Sequence, residues 1–147
     1  MAITITSTAF SEGEKIPGLY TCDDQNVSPP LAWTGVPTNT VSLALIMDDP
    51  DAPSGTWVHW VLFNLPSSLT GLDQGKNGGG TEGQNDFREI GYGGPCPPRG
   101  SNHRYLFKLY ALDTSLDLKP GASKAQLEDS MKGHILAQGQ LMGRYGR

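Results

Sequence analysis

A mainly β fold is predicted by three features of the chain. It holds 19 glycines and 11 prolines in 147 residues, only 18% of its positions are charged, and its apolar residues fall in short alternating or continuous runs. Frequent turns and few long helices are the usual source of such a composition. A chain of this length buries roughly 68–70% of its unfolded surface, so one core suffices without staples, and a single domain over residues 1–147 is expected.

The elements follow in order. Ile3 to Thr6 alternates apolar and polar residues like an edge or half-buried strand, and Phe10 to Tyr20 reads as a turn followed by another short strand. Cys22 to Pro30 is a polar loop, after which Leu31 to Trp33 reads as a short strand closed by Gly35 and Pro37. Val41 to Met47 is almost continuously apolar, which marks a central strand covered on both faces. In the next strand, Val58 to Leu65, a period of two places Trp57, His59, Val61 and Phe63 on one face and Val58, Trp60, Leu62 and Asn64 on the other.

Ten of the 19 glycines lie between Gly71 and Gly100, so this stretch is expected to be a long loop bordering a site or an interface. Tyr105 to Leu112 is a further strand. Ser123, with Gln126 three residues on, predicts a capped helix presenting Ala125, Leu127 and Met131 and closed by Gly133. Ile135 to Tyr145 is the last strand, with Gly139 and Gly143 permitting bends.

Composition also excludes partners. A formal net charge of −4 without a Lys/Arg cluster argues against nucleic acid, which calls for a basic face. No apolar run approaches a membrane span, and Met1 to Thr8 lacks the basic and apolar regions of a signal peptide, so a cytoplasmic location is expected. In that compartment base rates favour free thiols for Cys22 and Cys96, with a single bridge between them left open. Cys96 is expected close to the binding site, with Cys22 approaching the same end.

Two segments concentrate the chemistry, Asp48 to Trp60 and Gly93 to Tyr105. In each, a Pro/Gly-rich bend precedes a histidine and then a strand, an arrangement suited to a preformed pocket. Asp48, Asp49 and Asp51 surround Pro50 and are expected to converge on one bend. His59 and His103 are two of only three histidines, and a pair of imidazoles can clamp one phosphate, carboxylate or sulfate. In protonated form they should bind it best, with affinity falling as pH rises through about 6 to 8. His134, at the helix end, is read as structural. Two histidines with a carboxylate could also form a metal triad, but the spacing lacks a helix-borne His pair. Serine hydrolysis lacks its Gly-x-Ser-x-Gly elbow.

Asp49 to Pro53, Trp57 to His59, Gly94 to Pro98 and His103 to Tyr105 together resemble the phosphatidylethanolamine-binding protein family, in its bacterial and archaeal Raf-kinase-inhibitor-like branch. Tyr20 to Asp23, Ser28 to Leu31 and the ending His134 to Gly146 are similar as well. The resemblance implies an antiparallel β-sandwich of one large and one small sheet with few short helices, and an anion pocket at one end of the large sheet. Carried over by motif, that pocket holds Asp49, His59, Pro98 and His103, with Asp51 and Tyr105 beside them and Arg104 structural. It further implies a binding protein and not an enzyme, with no cofactor. The expected ligand is a phosphate-like small molecule or phospholipid head group. The resemblance also implies inhibition or modulation of a partner such as a serine protease or kinase, and a homodimer. The chain stops at Arg147, where eukaryotic members carry a further helix bordering the pocket, so a more open pocket is expected. A hydrolase acting on a small phosphorylated or acylated substrate is the alternative.

Overall fold

The computed structural model describes residues 2–147. Its strands are β1 (Thr4–Thr6), β2 (Leu31–Thr34), β3 (Ser42–Asp49), β4 (Trp57–Pro66), β5 (Gly71–Leu72), β6 (Thr81–Glu82), β7 (Asn102–Leu112) and β8 (Ile135–Gly146), with one helix, α1 (Lys124–Met131). They form two antiparallel sheets, a large one in the order β6-β4-β3-β7-β8 and a small one in the order β1-β2-β5. The mainly β sandwich expected from the sequence is therefore the observed fold.

The apolar run of β3 runs through the middle of the large sheet and is buried at every position. Its Leu43, Leu45 and Met47 face the small sheet, packing in one cluster with Ile5, Leu31, Trp33, Trp60, Phe107 and Leu109. Ala44 and Ile46 face the other way, into a second cluster with Val58, Val61, Phe63 and the helix residues Leu127 and Met131. A strand covered on both sides can have no polar face, which is why its sequence does not alternate.

Helix α1 starts at a reciprocal capping box. The Ser123 hydroxyl accepts from the Gln126 amide nitrogen at 3.1 Å, and the Gln126 side chain accepts from Ser123 N–H at 2.9 Å. Gly133, at φ +79°, takes the chain out of the helix. Leu127 and Met131 are buried, whereas Ala125 points to solvent.

Three further expectations are corrected. Phe10 to Tyr20 contains no strand. Phe10, Ile16 and Tyr20 are buried, but the backbone meets β8 only in an isolated bridge at Lys15 and Arg144, with Gly13 N–H to Met142 O, Ile16 N–H to Arg144 O and Arg144 N–H to Glu14 O, and it ends in a single 3-10 turn at Gly18–Tyr20. Pro17 has no N–H with which to extend a ladder. The stretch from Gly71 to Gly100 is not structureless, since it contributes β5, β6 and a bridge between Gln84 and Ile90. Strands of two residues are too short to show a period.

The third correction concerns β4. Met47 pairs with Trp60 but Asp48 pairs with Val58, so His59 is an extra residue, a β-bulge. A second irregularity, opposite Ala44, surrounds Asn64, which has φ +54°. The first bulge reverses the alternation. Val58 packs on the helix side with Val61 and Phe63, while Trp60 and Leu62 pack on the sandwich side.

Candidate functional site

Where β3 ends and β4 and β7 begin, a cleft of about 260 Å³ opens on the sandwich side of the large sheet. Asp49, His59, His103 and Tyr105 line it together with Trp57, Phe87, Ala52, Pro53, Ser54, Cys96, Pro97 and Pro98. The β4 bulge explains how His59 arrives there. Met47 and Tyr105 belong to the sandwich-side cluster, and Asp49 and His103 follow them by a period of two on their strands. The extra residue on β4 turns His59 toward that same face. Bulges are concentrated where a side chain has to be re-aimed next to a site.

Each histidine has one ring nitrogen committed. His59 is 2% exposed, and its Nδ1–H donates to Gly93 O at 2.6 Å while Gly93 N–H donates back to His59 O at 2.9 Å. His103 is 7% exposed, and its Nδ1–H donates to Asp49 Oδ2 at 2.7 Å. The other Asp49 oxygen, Oδ1, accepts from Asp51 N–H at 2.8 Å, which secures the bend after β3. In both rings Nε2 is the nitrogen left for a ligand.

Aromatic edges surround His59. Tyr105 and Phe87 meet its ring edge-on, with centroids 5.2 and 5.4 Å away, and Phe87 also stands edge-on to Trp57 at 5.4 Å. Burial in these surroundings lowers the His59 pKa below its usual 6.5, because the charged ring loses water, although the Gly93 carbonyl and Asp49 pull the other way. Burial, with the nearby Asp49, likewise raises the Tyr105 pKa, keeping its hydroxyl protonated.

One wall of the cleft is the segment Cys96 to Pro98. Cys22 and Cys96 form a disulfide with Cα atoms 5.5 Å apart, so the thiols favoured by base rate are paired. The expected approach of both cysteines to the pocket end is what the structure has. Gly94 permits this closeness, since a Cβ there would collide with Tyr20 O and Asn26 Oδ1. Arg147 braces the segment from outside, donating from Nη1 to Pro97 O at 3.3 Å and reaching Asp23 Oδ1 from Nη2 at 3.2 Å.

The three aspartates do not converge. Asp48 lies on the helix side of the sheet, 1% exposed, where Oδ2 meets Lys124 Nζ at 2.9 Å and Lys108 Nζ at 3.2 Å. Asp51 is beside the cleft without lining it and is taken up by Arg104, whose Nε and Nη2 reach Oδ2 and Oδ1 at 2.9 and 2.8 Å. That fork pulls the Asp51 pKa down to about 2. His134 pairs with Asp113 at 2.7 Å in an exposed position far along the chain from the cleft. Among the described residues no three His, Cys, Asp or Glu side chains gather to hold a metal ion.

The sequence reading missed Phe87 and the Gly93 carbonyl, and it placed Trp57 without giving it a role. Phe87 and Tyr92 are the two aromatics of the glycine-rich stretch from Gly71 to Gly100, and an aromatic in such a loop was the available signal.

Comparison with known proteins agrees with this fold. The family model described as phosphatidylethanolamine-binding protein matches residues 6–146. A UPF0098 protein of Methanothermobacter thermautotrophicus is 51% identical over 151 residues, covering 99% of each chain. Another from Aquifex aeolicus is 49% identical, covering 97% of this chain and 88% of its own. The crystal structure of a phosphatidylethanolamine-binding protein homologue from Chlamydia trachomatis superimposes with a TM-score of 0.95 at 43% identity, covering 99% of this chain and 98% of that one. Escherichia coli YbcL, presented as a new member of the mammalian family, superimposes with a TM-score of 0.92 at 32% identity over 100% of this chain and 99% of its own. With a family model matched across both sheets and relatives alike from end to end, this chain belongs to the phosphatidylethanolamine-binding protein family.

Proposed function

We propose that the cleft binds a small phosphate-like anion, such as a phosphorylated small molecule or a phospholipid head group, and that the protein is a binding module and not an enzyme. The observation carrying this reading is the shared commitment of the two histidines. With Nδ1 of His59 on Gly93 O and Nδ1 of His103 on Asp49, both rings offer Nε2 to one ligand in a cleft whose remaining lining is mainly apolar, Trp57, Phe87, Pro53, Pro97 and Pro98 among it. A neutral Nε2 accepts a hydrogen bond and does not donate one. The ligand therefore either brings an O–H, as a singly protonated phosphate does, or binds with uptake of a proton by an imidazole. Calorimetry with inorganic phosphate and phosphoethanolamine tests the reading, and a chain that binds neither overturns it.

The binding is read as serving inhibition or modulation of a protein partner such as a serine protease or kinase, with the chain acting as a homodimer. Phe87, 37% exposed, and Ile90, 62% exposed, support a contact surface beside the cleft. Sedimentation that finds only monomers would remove the dimer. One observation favours a second reading, a hydrolase: the buried Asp49–His103 pair has the orientation of a general base, and Ser54 lines the same cleft. Turnover of an aryl phosphate or aryl ester that disappears in His103→Ala would favour this second reading over the first.

A further inference from the structure

We propose that the Cys22–Cys96 disulfide is a thiol-exchange site that sets the wall of the cleft, so that its reduction by a dithiol weakens binding of the phosphate-like ligand. The coupling to affinity rests on the anion reading above. The structural part stands on the position of the bridge. Cys96 lines the same cleft as the two histidines, next to Pro97 and Pro98. Its partner Cys22 lies 74 residues away in the chain, on a loop that belongs to neither sheet. Both cysteines are solvent-exposed, so a reductant reaches them without unfolding the protein. Exposed disulfides are the labile ones, while structural bridges are shielded.

The remaining ties on this wall are few. Cys22 N–H donates to Pro95 O at 3.1 Å, Gly94 N–H to Asn26 Oδ1 at 2.8 Å and Arg147 Nη1 to Pro97 O at 3.3 Å, and the turn that follows is closed by Ser101 N–H to Pro98 O at 3.1 Å and Gly100 N–H to Arg147 O at 2.6 Å. The prolines have no N–H to add to these. Opening the bridge thus frees the Cys96 to Pro98 segment to move while the hydrogen-bonded sheets keep their shape.

Arg147 also directs the chemistry. Its Nη1 lies 3.5 Å from Cys96 Sγ, so negative charge released on that sulfur falls beside a guanidinium. A dithiol thiolate attacks Cys22 Sγ, the S–S bond breaks, and Cys96 leaves as the thiolate. The second thiol of the reductant then attacks the mixed disulfide and releases Cys22. Two electrons and two protons pass from the dithiol to the pair, leaving two cysteine thiols and an oxidised, cyclic reductant. Binding and reduction are linked in both directions, so a ligand that prefers the closed wall also protects the bridge.

The test compares the oxidised full-length chain with the same chain treated with dithiothreitol under native conditions, freed of reductant and shown by titration to hold two thiols. On reduction, backbone hydrogen exchange at Cys22 and Gly100, whose N–H groups donate to Pro95 O and Arg147 O, is expected to accelerate while β3 and β7 stay protected. The affinity for inorganic phosphate is expected to fall about fivefold or more. Cys22→Ser should reproduce both effects without any reductant. A bridge that resists dithiothreitol until the chain is denatured overturns the proposal. So does a fully reduced chain with unchanged exchange in this segment, or with unchanged phosphate affinity. An oxidised chain that fails to bind phosphate overturns the anion reading instead, and hydrogen exchange alone then decides whether the bridge sets the wall.

Discussion

Asp49 holds His103 through a 2.7 Å contact between Oδ2 and Nδ1, with both side chains almost entirely withdrawn from water. The carboxylate fixes which ring nitrogen faces the ligand. Asp49→Asn keeps an acceptor but removes the charge. Hydrogen bonds to charged groups contribute about 1.5–3 kcal/mol against about 0.5–1.5 for neutral ones, so this change should cost about 1 kcal/mol of stability and roughly tenfold in phosphate affinity. His103→Ala should lose about 1.5–3 kcal/mol of phosphate binding, and His59→Ala a similar amount. Calorimetry and thermal melting on the same samples separate the two effects. Wild-type affinity in the double mutant would dismiss the site.

The pH dependence follows from His59. Its folded pKa is depressed by burial, so the unfolded chain binds the proton more readily than the folded one. Stability contributed by the neutral ring is fully present above the unfolded value of 6.5 and is lost as pH falls through the folded value. Anion affinity runs oppositely, rising as pH drops below 6.5 because the bound anion favours the charged ring. This moves the expected gain below the window of about 6 to 8 that unperturbed histidines would give. Sulfate, whose own charge is constant over this range, is the suitable probe. An affinity for sulfate that is flat from pH 7 down to the onset of acid unfolding would contradict this.

Much of this was legible in the chain and some of it was not, for physical reasons. The strands β3 and β4 could be read because two faces of apolar packing leave an unmistakable run such as Leu43 to Met47, and β7 and β8 because one buried face leaves apolar residues at a period of two, as in Tyr105, Phe107 and Leu109. His59 and His103 could be placed because each follows a Pro/Gly bend that opens a strand. The bulge at His59 could not be read, since one extra residue changes pairing without changing composition. Asp48 was misplaced by Pro50 and Pro53, which suggested that the turn begins early. β3 in fact continues to Asp49, and a period of two then sends adjacent aspartates to opposite faces. The disulfide depends on two loops meeting, which no local pattern encodes.

Helix α1 is held to the sheet mainly by Leu127, which is 0% exposed against Val61 and Phe63. Leu127→Ala should therefore destabilise the chain by about 2–5 kcal/mol through lost burial and the cavity left behind. Ser123→Ala, which removes the N-cap, should cost only about 1 kcal/mol. Chemical denaturation measures both. Because the helix lies on the far side of the sheet from the cleft, neither change should alter phosphate affinity in protein that remains folded. Equal costs for the two substitutions would mean that the cap, not the packing, governs this element.

Asp51 separates a residue near the site from a residue of the site. Its carboxylate is spent on the Arg104 fork and on Arg104 N–H at 2.9 Å, and it does not line the cleft. Asp51→Asn should leave phosphate affinity close to wild type, in contrast to Asp49→Asn. Its effect belongs to acid stability instead. The folded pKa of about 2 lies below the ordinary 3.8, so the pair's contribution is present above pH 3.8 and disappears as pH falls toward 2. The two side chains are 31% and 46% exposed, so solvent screens the pair and the contribution is small. Acid titration of both proteins by circular dichroism should therefore show curves that differ slightly above pH 4 and merge as pH approaches 2. A large loss of phosphate affinity in Asp51→Asn would instead return this residue to the ligand and require the Asp51–Arg104 fork to open on binding.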